Sequence, residues 1–386
     1  MNAVRAERLV LVSHLAHPRE VTGAERSLLS LARGFRERGR EVSWWAPGTG
    51  ESVDQARAAG LPVEVTKWPR LWLTAYDAGA VASVLRAVRF ASGAPRLLPL
   101  TARLRGAGAS VALVNTLANL GAAYAARRAG LPVVVRVAEI PGPGLRRALL
   151  RALLTRVADR VVTVSQAVAD ALGIAHARVV HSGVALPSAT QVERCRRELR
   201  AALDLGDDAL VVGHVGQLRP HKGQRELVEA AARAAPRLPA ATFAVLGDTE
   251  RLPGYADRLR SAGRPLGDRL RFPGFVDGGP AGLDVLAFTS TAPDPFPRVI
   301  LEAMAAAVPV VAFTGGGVAE AVVDEVTGRL VATGDVAGLA EALVAVAVDA
   351  DRRRALGRAG RARAREQFLE GEVAGRYLDV VDEVAR

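Results

Sequence analysis

The residues with the clearest chemical meaning are Asp294 and Glu302. They are two carboxylates with seven residues between them, in Asp294-Pro295-Phe296-Pro297-Arg298-Val299-Ile300-Leu301-Glu302-Ala303-Met304. The first lies in a Pro-rich loop. The second falls in a run of good helix formers from Val299 to Ala306, with no breaker before Pro309. A helix start here presents unpaired backbone N–H groups at Arg298, Val299 and Ile300, together with the positive end of its dipole, and both suit a phosphate. Carboxylates beside it accept hydrogen bonds from sugar or ribose hydroxyls. One short segment therefore combines phosphate donors with hydroxyl acceptors, as a nucleotide-sugar site requires.

A second group is Gly213-His214-Val215-Gly216-Gln217-Leu218-Arg219-Pro220-His221-Lys222-Gly223-Gln224. It reads as a strand, a glycine turn, a loop with the cations Arg219 and Lys222, and a helix from about Gln224. Open α/β sheets bind ligands at the C-terminal ends of their strands. A lysine at a helix entry neutralises a diphosphate leaving group, and the small Gly216 and Gly223 let backbone approach it. Thr22-Gly23-Ala24-Glu25 opens the first long helix, with Thr22 and Glu25 at capping-box spacing. A well-capped helix start is also an anion site, so Gly23 is a further phosphate contact. Asn115 and Glu139 each end a predicted strand. Asn115 can bond a sugar hydroxyl or simply form a turn, and Glu139 can contact an acceptor.

These residues need elements to position them. Leu9–Val12, 41–45, 63–66, 111–114, 132–137, 161–164 and 178–181 read as short buried strands, and residues 24–38 as a helix with Leu28, Leu29, Leu31, Ala32 and Phe35 on one face. With a linker placed near 183–208, the pattern restarts: residues 190–201 read as a charged helix, and strands follow at 209–216, 242–246, 270–272, 284–288 and 308–313. Strands alternating with helices predict parallel sheets covered on both faces, in two doubly wound domains. Residues 350–386 read as two Arg-rich amphipathic helices.

At 386 residues, with half of them hydrophobic and 24% charged, the chain is long enough for two cores. The net charge of +11 favours anionic partners. Aromatics are only 4% and no stacking platform or groove-reading motif occurs, which argues against nucleic acid. Cys195 is the single cysteine, so a disulfide within the chain is excluded and a Cys-based metal site is not expected. No signal peptide or membrane span is read from the chain: Arg5 and Arg8 precede only a short apolar run. Basic apolar stretches remain, at 145–156 and around Arg86, Arg89, Arg96, Arg103 and Arg105, near Trp68, Trp72 and Tyr76. They read either as core with solvated arginine faces or as a surface for anionic membrane and an apolar aglycone.

The Asp294–Glu302 segment, with the strand Val308-Pro309-Val310-Val311-Ala312-Phe313 behind it, resembles the signature of the retaining glycosyltransferases of family 4, which have the GT-B fold. The family's first Glu is Asp294 here, and Pro297 stands at its usual Gly. The Gly216 to Gly223 element resembles the family's Gly-Arg-Leu…Lys-Gly, with Lys222 on the Lys and Gln217 at the Arg. Thr22 replaces the first glycine of a Gly-Gly loop, and Asn115 stands near a functional His of some relatives. Smaller matches include Ser182-Gly183-Val184, Pro273-Gly274-Phe275-Val276, Gly315-Gly316-Gly317 with Glu320, and Thr327-Gly328.

The resemblance implies two Rossmann-like domains facing across a cleft: 1–185 for the acceptor, 186–365 for the donor, and a 366–386 helix crossing back to the first. It implies a hexosyl transfer from a nucleoside-diphosphate sugar to a glycan, lipid-linked or small-molecule acceptor, with retention and without metal. Lys222 and Arg219 would clamp the diphosphate with Gly23, Gly216, Gln217, Arg298, Val299 and Ile300. Glu302 would hold the ribose and Asp294 the transferred sugar. No cofactor is expected, since the sugar nucleotide is a co-substrate. The expected place is the cytoplasm, with the inner membrane face left open. The alternatives are a GT-B epimerase or phosphorylase, and a catalytically silent sugar-nucleotide-binding scaffold suggested by the departures at Thr22, Gln217, Asp294 and Asn115.

Overall fold

The computed structural model describes residues 6–14, 21–71, 90, 92–250 and 252–385. Trp72, Tyr76, Arg86 and Arg89 lie outside the described residues. The chain divides into two compact units, one made of Met1–Gly183 with Glu370–Arg386 and the other of Val184–Leu369.

The first unit holds a seven-stranded sheet: β1 Arg8–Val12, β2 Glu41–Ala46, β3 Val63–Val65, β4 Val111–Asn115, β5 Val133–Val137, β6 Arg160–Thr163 and β7 Arg178–Val179. The order is β3-β2-β1-β4-β5-β6-β7 and every pairing is parallel. Runs such as Val133-Val134-Val135 are apolar on both faces because helices cover both sides. Helix Gly23–Glu37 buries Leu28, Leu29, Leu31, Ala32 and Phe35. It meets helix Glu370–Val384 at Gly34, where an added Cβ would lie 2.5 Å from that of Ala374. Asp382 fastens the returning helix, accepting from Ala6 N at 2.9 Å and from Arg40 Nη2 at 2.6 Å.

The second unit holds a six-stranded parallel sheet: β8 Leu210–Val215, β9 Ala241–Leu246, β10 Leu270–Gly274, β11 Val285–Phe288, β12 Val310–Phe313 and β13 Gly328–Val331. Its order is β10-β9-β8-β11-β12-β13. Strand β13 is the one the sequence did not announce, since it is short, opens on Gly328 and carries Arg329. Strand order reverses between β1 and β4 in one sheet and between β8 and β11 in the other. Ligands of such sheets bind outside the strand ends at these switch points, and that is where the candidate residues sit.

Three expectations are corrected. Residues 183–208 are no linker: the helix read over 190–201 is present as Ala189–Ala202 and belongs to the second unit. Its Arg200, 3% exposed, bonds Asp284 Oδ2 at 2.8 Å and the carbonyls of Asp207, Ala209 and Gly282. The division falls at Gly183/Val184 and Leu369/Glu370, because helix Ala350–Gln367 runs unbroken through the boundary expected after 365. The last helix is acidic rather than Arg-rich, with Arg376 facing five acids in its sequence, Glu370, Glu372, Asp379, Asp382 and Glu383. Those acids serve the first unit, Asp382 through Arg40 and Glu383 through Arg160 and Arg178.

Candidate active site

In the second unit, β8 ends at Val215 and the chain turns through Gly216 into exposed Gln217. The fully buried Gln224 holds this turn from behind, donating from Nε2 to Gln217 O at 2.8 Å. Arg219 Nε approaches Gln217 Oε1 at 3.4 Å. The guanidinium thus lies beside the Gln217 side chain. A short turn, Pro220–Lys222, leads to Gly223 with φ +77°. The residues after β11 hold this turn. Thr291 N donates to His221 O at 3.0 Å, Ser290 Oγ to the same carbonyl at 3.1 Å, and Thr289 Oγ1 to Gly223 O at 2.7 Å.

Lys222 Nζ then reaches Asp294 Oδ2 at 2.9 Å, with the two side chains 30% and 15% exposed. The Asp294 loop is itself braced by the glycine run after β12. Gly317 N donates to Asp294 O at 2.8 Å. Gly316 has φ +62°, and a Cβ there would lie 2.0 Å from that same carbonyl oxygen. Helix Arg298–Ala305 follows Pro297 with no side-chain cap. Arg298 Nε and Glu302 Oε1 are 3.6 Å apart, one turn along the helix, with Glu302 31% exposed. Val299 is half-buried at the helix start. Ile300 is fully buried and its N–H bonds Pro297 O at 3.2 Å, so it steadies the helix start from inside rather than facing a ligand.

In the first unit the expected capping box is present. Thr22 N and Oγ1 both donate to Glu25 Oε2 at 3.0 Å, and Glu25 N donates back to Thr22 Oγ1 at 3.4 Å. Gly23 is exposed at the helix start. Asn115 is fully buried, and both ends of its carboxamide are spent internally: Oδ1 accepts from Arg136 Nη1 at 2.9 Å and Nδ2 donates to Ala24 O at 3.2 Å. The sugar-hydroxyl contact expected of it is replaced by a structural one, because the guanidinium of Arg136, 1% exposed, needs acceptors. Arg136 also donates to Tyr377 Oη and Ser182 Oγ, each at 3.1 Å.

Glu139 follows β5, half-buried, with its carboxyl turned inward onto Leu117 N at 3.1 Å and Ala138 N at 3.0 Å. The adjacent Thr116 is a β-branched residue at φ 71°, ψ 154°, a conformation that normally favours glycine. Burial pushes the Glu139 carboxyl from 4.5 up to about 7, against the pull of those two N–H groups, of Arg136 and of the Thr116 hydroxyl. The folded chain therefore holds this proton where the unfolded chain has lost it. The resulting stability is full below about pH 4.5 and is lost as pH rises through about 7. Allowing for solvent at a half-buried residue, the loss is about 2 kcal/mol. Melting of wild type and Glu139→Gln from pH 5 to 8 checks this: wild type should lose ground to the variant as pH rises. A constant gap would show that the carboxyl titrates normally.

Two family descriptions match the chain, Glycosyltransferase Family 4 over residues 21–186 and Glycosyl transferases group 1 over residues 209–349. The chain belongs to glycosyltransferase family 4. Anabaena HepE, solved in complex with UDP and glucose, is 25% identical to this family-4 chain with a TM-score of 0.79, covering 98% of this chain and all of that one. A GDP-mannose-dependent monoacylated phosphatidylinositol monomannoside mannosyltransferase of Corynebacterium glutamicum is 28% identical over 82% of this chain and 83% of its own length. The D-inositol 3-phosphate glycosyltransferase of Kribbella flavida is 35% identical over 42% of this chain, and the match spans 40% of that relative's length. With two parallel α/β units, these likenesses establish the two-domain Rossmann-like GT-B fold.

Of the residues singled out in the sequence of this family-4 chain, the second unit brings together Gly216, Gln217, Arg219, Lys222 and Asp294, with Arg298 and Glu302 on the helix that follows Asp294. Sequence reasoning missed the residues that hold them: His214, Gln224, Thr289, Ser290 and Thr291. Their signal was position: His214 near the end of β8, Thr289 to Thr291 just after β11, and Gln224 at the start of helix Gln224–Ala234.

Proposed function

We propose that this protein is a retaining hexosyltransferase that uses a nucleoside-diphosphate sugar without a metal ion. The observation that carries the reading is the 2.9 Å pair of Lys222 and Asp294 at the β8/β11 switch point, beside the start of helix Arg298–Ala305. The Lys222 ammonium, the Arg219 guanidinium and the helix start stabilise the diphosphate as it departs. Glu302 accepts from the donor ribose and Asp294 from hydroxyls of the transferred sugar. The anomeric C–O bond breaks with its electrons leaving on the diphosphate. The acceptor oxygen joins the anomeric carbon on the same face, and its proton passes to a phosphate oxygen of the leaving group.

The reading is supported by what relatives are named for: UDP and glucose bound in HepE, and GDP-mannose used by the Corynebacterium mannosyltransferase. The acceptor is a polyhydroxylated glycan, lipid-linked or small-molecule compound. Among the described residues no helix is long and apolar enough to cross a membrane. Helix Leu145–Val157 exposes Leu145 and Leu149 on a basic segment, which supports a lipid-facing role for the first unit.

The test is a panel of UDP-, GDP- and dTDP-sugars, scored by thermal shift and by turnover, with the product anomer read by NMR. One donor should stabilise wild type selectively and stabilise Glu302→Ala much less, and turnover should proceed in EDTA. Stabilisation without turnover on any acceptor would favour the silent scaffold instead.

A further inference from the structure

His214 lies on β8, two residues before the Gly216 turn, and is 2% exposed. Its Nε2 is 3.0 Å from the carbonyl oxygen of Lys222. A carbonyl only accepts, so Nε2 carries the proton and donates. Burial lowers the imidazole to about 4, so the ring is neutral at neutral pH and Nδ1 is an acceptor, without a partner among the described residues. A neutral donor of this kind fixes the Lys222 backbone without placing a second positive charge behind the ammonium.

The neighbouring carbonyls His221 O and Gly223 O are held by Thr291, Ser290 and Thr289, which follow β11. Among the described residues, the Lys222 carbonyl takes a long contact from Thr289 Oγ1, at 3.5 Å, besides that of His214. Within the turn, Lys222 N donates to Arg219 O at 2.9 Å and Gly223 N to Pro220 O at 3.2 Å, so His214 supplies the constraint on the Lys222 carbonyl that comes from the sheet.

We infer that His214 is a positioning residue for the donor diphosphate, acting through the Lys222 backbone to hold the ammonium in place. The inference rests on the reading of Lys222 as the diphosphate clamp. It assigns a function to a buried polar group that packing alone would fill better with Leu or Phe.

The experiment compares His214→Phe with wild type in both the native and the Lys222→Ala backgrounds. Loss of one buried hydrogen bond should raise the donor KM about tenfold, with the acceptor KM unchanged. In the Lys222→Ala background the same change should add less than twofold, because there is no ammonium left to position. His214→Gln, whose amide can still donate, should recover most of the donor KM. His214→Met, which adapts to irregular space, serves in place of Phe if the larger ring prevents folding.

An equal effect in both backgrounds would mean a general packing role and would overturn the inference, as would an unchanged donor KM in folded His214→Phe and His214→Met. A donor KM unaffected by Lys222→Ala itself would overturn the clamp reading directly, and is distinguishable because it shows in the single variant that leaves His214 intact.

Discussion

Lys222→Ala is expected to lower kcat/KM for the donor by about a hundredfold or more, the loss typical of removing a preorganised charge from a developing oxyanion. The ammonium is placed by its turn and by Asp294. Its backbone is tied at His221, Lys222 and Gly223, and its Nζ meets Asp294 at 2.9 Å. Little reorganisation is needed when the diphosphate leaves. Removing the side chain also leaves Asp294 without this cation, so the carboxylate repels the donor phosphates instead of orienting a sugar hydroxyl. Lys222→Arg should recover only part of the rate, because a planar fork cannot occupy the place of a compact ammonium. Initial rates at saturating acceptor decide the matter. A donor kcat/KM within threefold of wild type in Lys222→Ala would remove the lysine from the chemistry.

The neighbouring substitution Gly223→Ala should cost stability as well as displace the turn that carries Lys222. Gly223 has φ +77°, and a Cβ there would lie 1.6 Å from the carbonyl oxygen and 2.5 Å from the carbonyl carbon of Thr289. Both are backbone atoms at the end of β11, so no side-chain rotation relieves the overlap. The turn and the strand end must part, breaking the hydrogen bonds of Thr289, Ser290 and Thr291. The expected cost is about 4 kcal/mol, combining the unfavourable φ with lost buried hydrogen bonds. The second unit should melt about 10 °C lower. Gly206→Ala is the control, since nothing lies within 4 Å of a Cβ there. Calorimetry that showed the two variants alike would mean that the turn adapts freely.

The charged members of the site were legible because their chemistry is local. Asp294, Arg298 and Glu302 sit on one loop and the helix after it, and Lys222 stands at a helix entry with glycines around it. What was not legible is set by contacts between distant parts of the chain. Asp294 depends on Gly316 and Gly317, and the Lys222 turn depends on Thr289 to Thr291 and on His214. No periodicity reports such pairings, because sheet order decides which strand ends meet. Asn115 shows the opposite error. Its place at a strand end suggested a ligand contact, yet the buried guanidinium of Arg136 one strand away claims its carboxamide. The linker near 183–208 was misread for a similar reason, since the polar face of helix Ala189–Ala202 hides Arg200, whose partner Asp284 lies far along the sequence.

The helix Glu370–Val384 gives the first unit an unusual order of assembly. Its Val373, Tyr377, Leu378 and Val381 are part of that unit's core, and Tyr377 Oη takes a hydrogen bond from Arg136. On a ribosome these residues are made after the whole of Val184–Leu369, which is continuous in sequence. The second unit can therefore close as soon as it clears the exit tunnel, while the first waits with Gly34 and the face of helix Gly23–Glu37 uncovered. The newborn chain thus has the whole of its second unit in hand before the first receives the helix that completes its core.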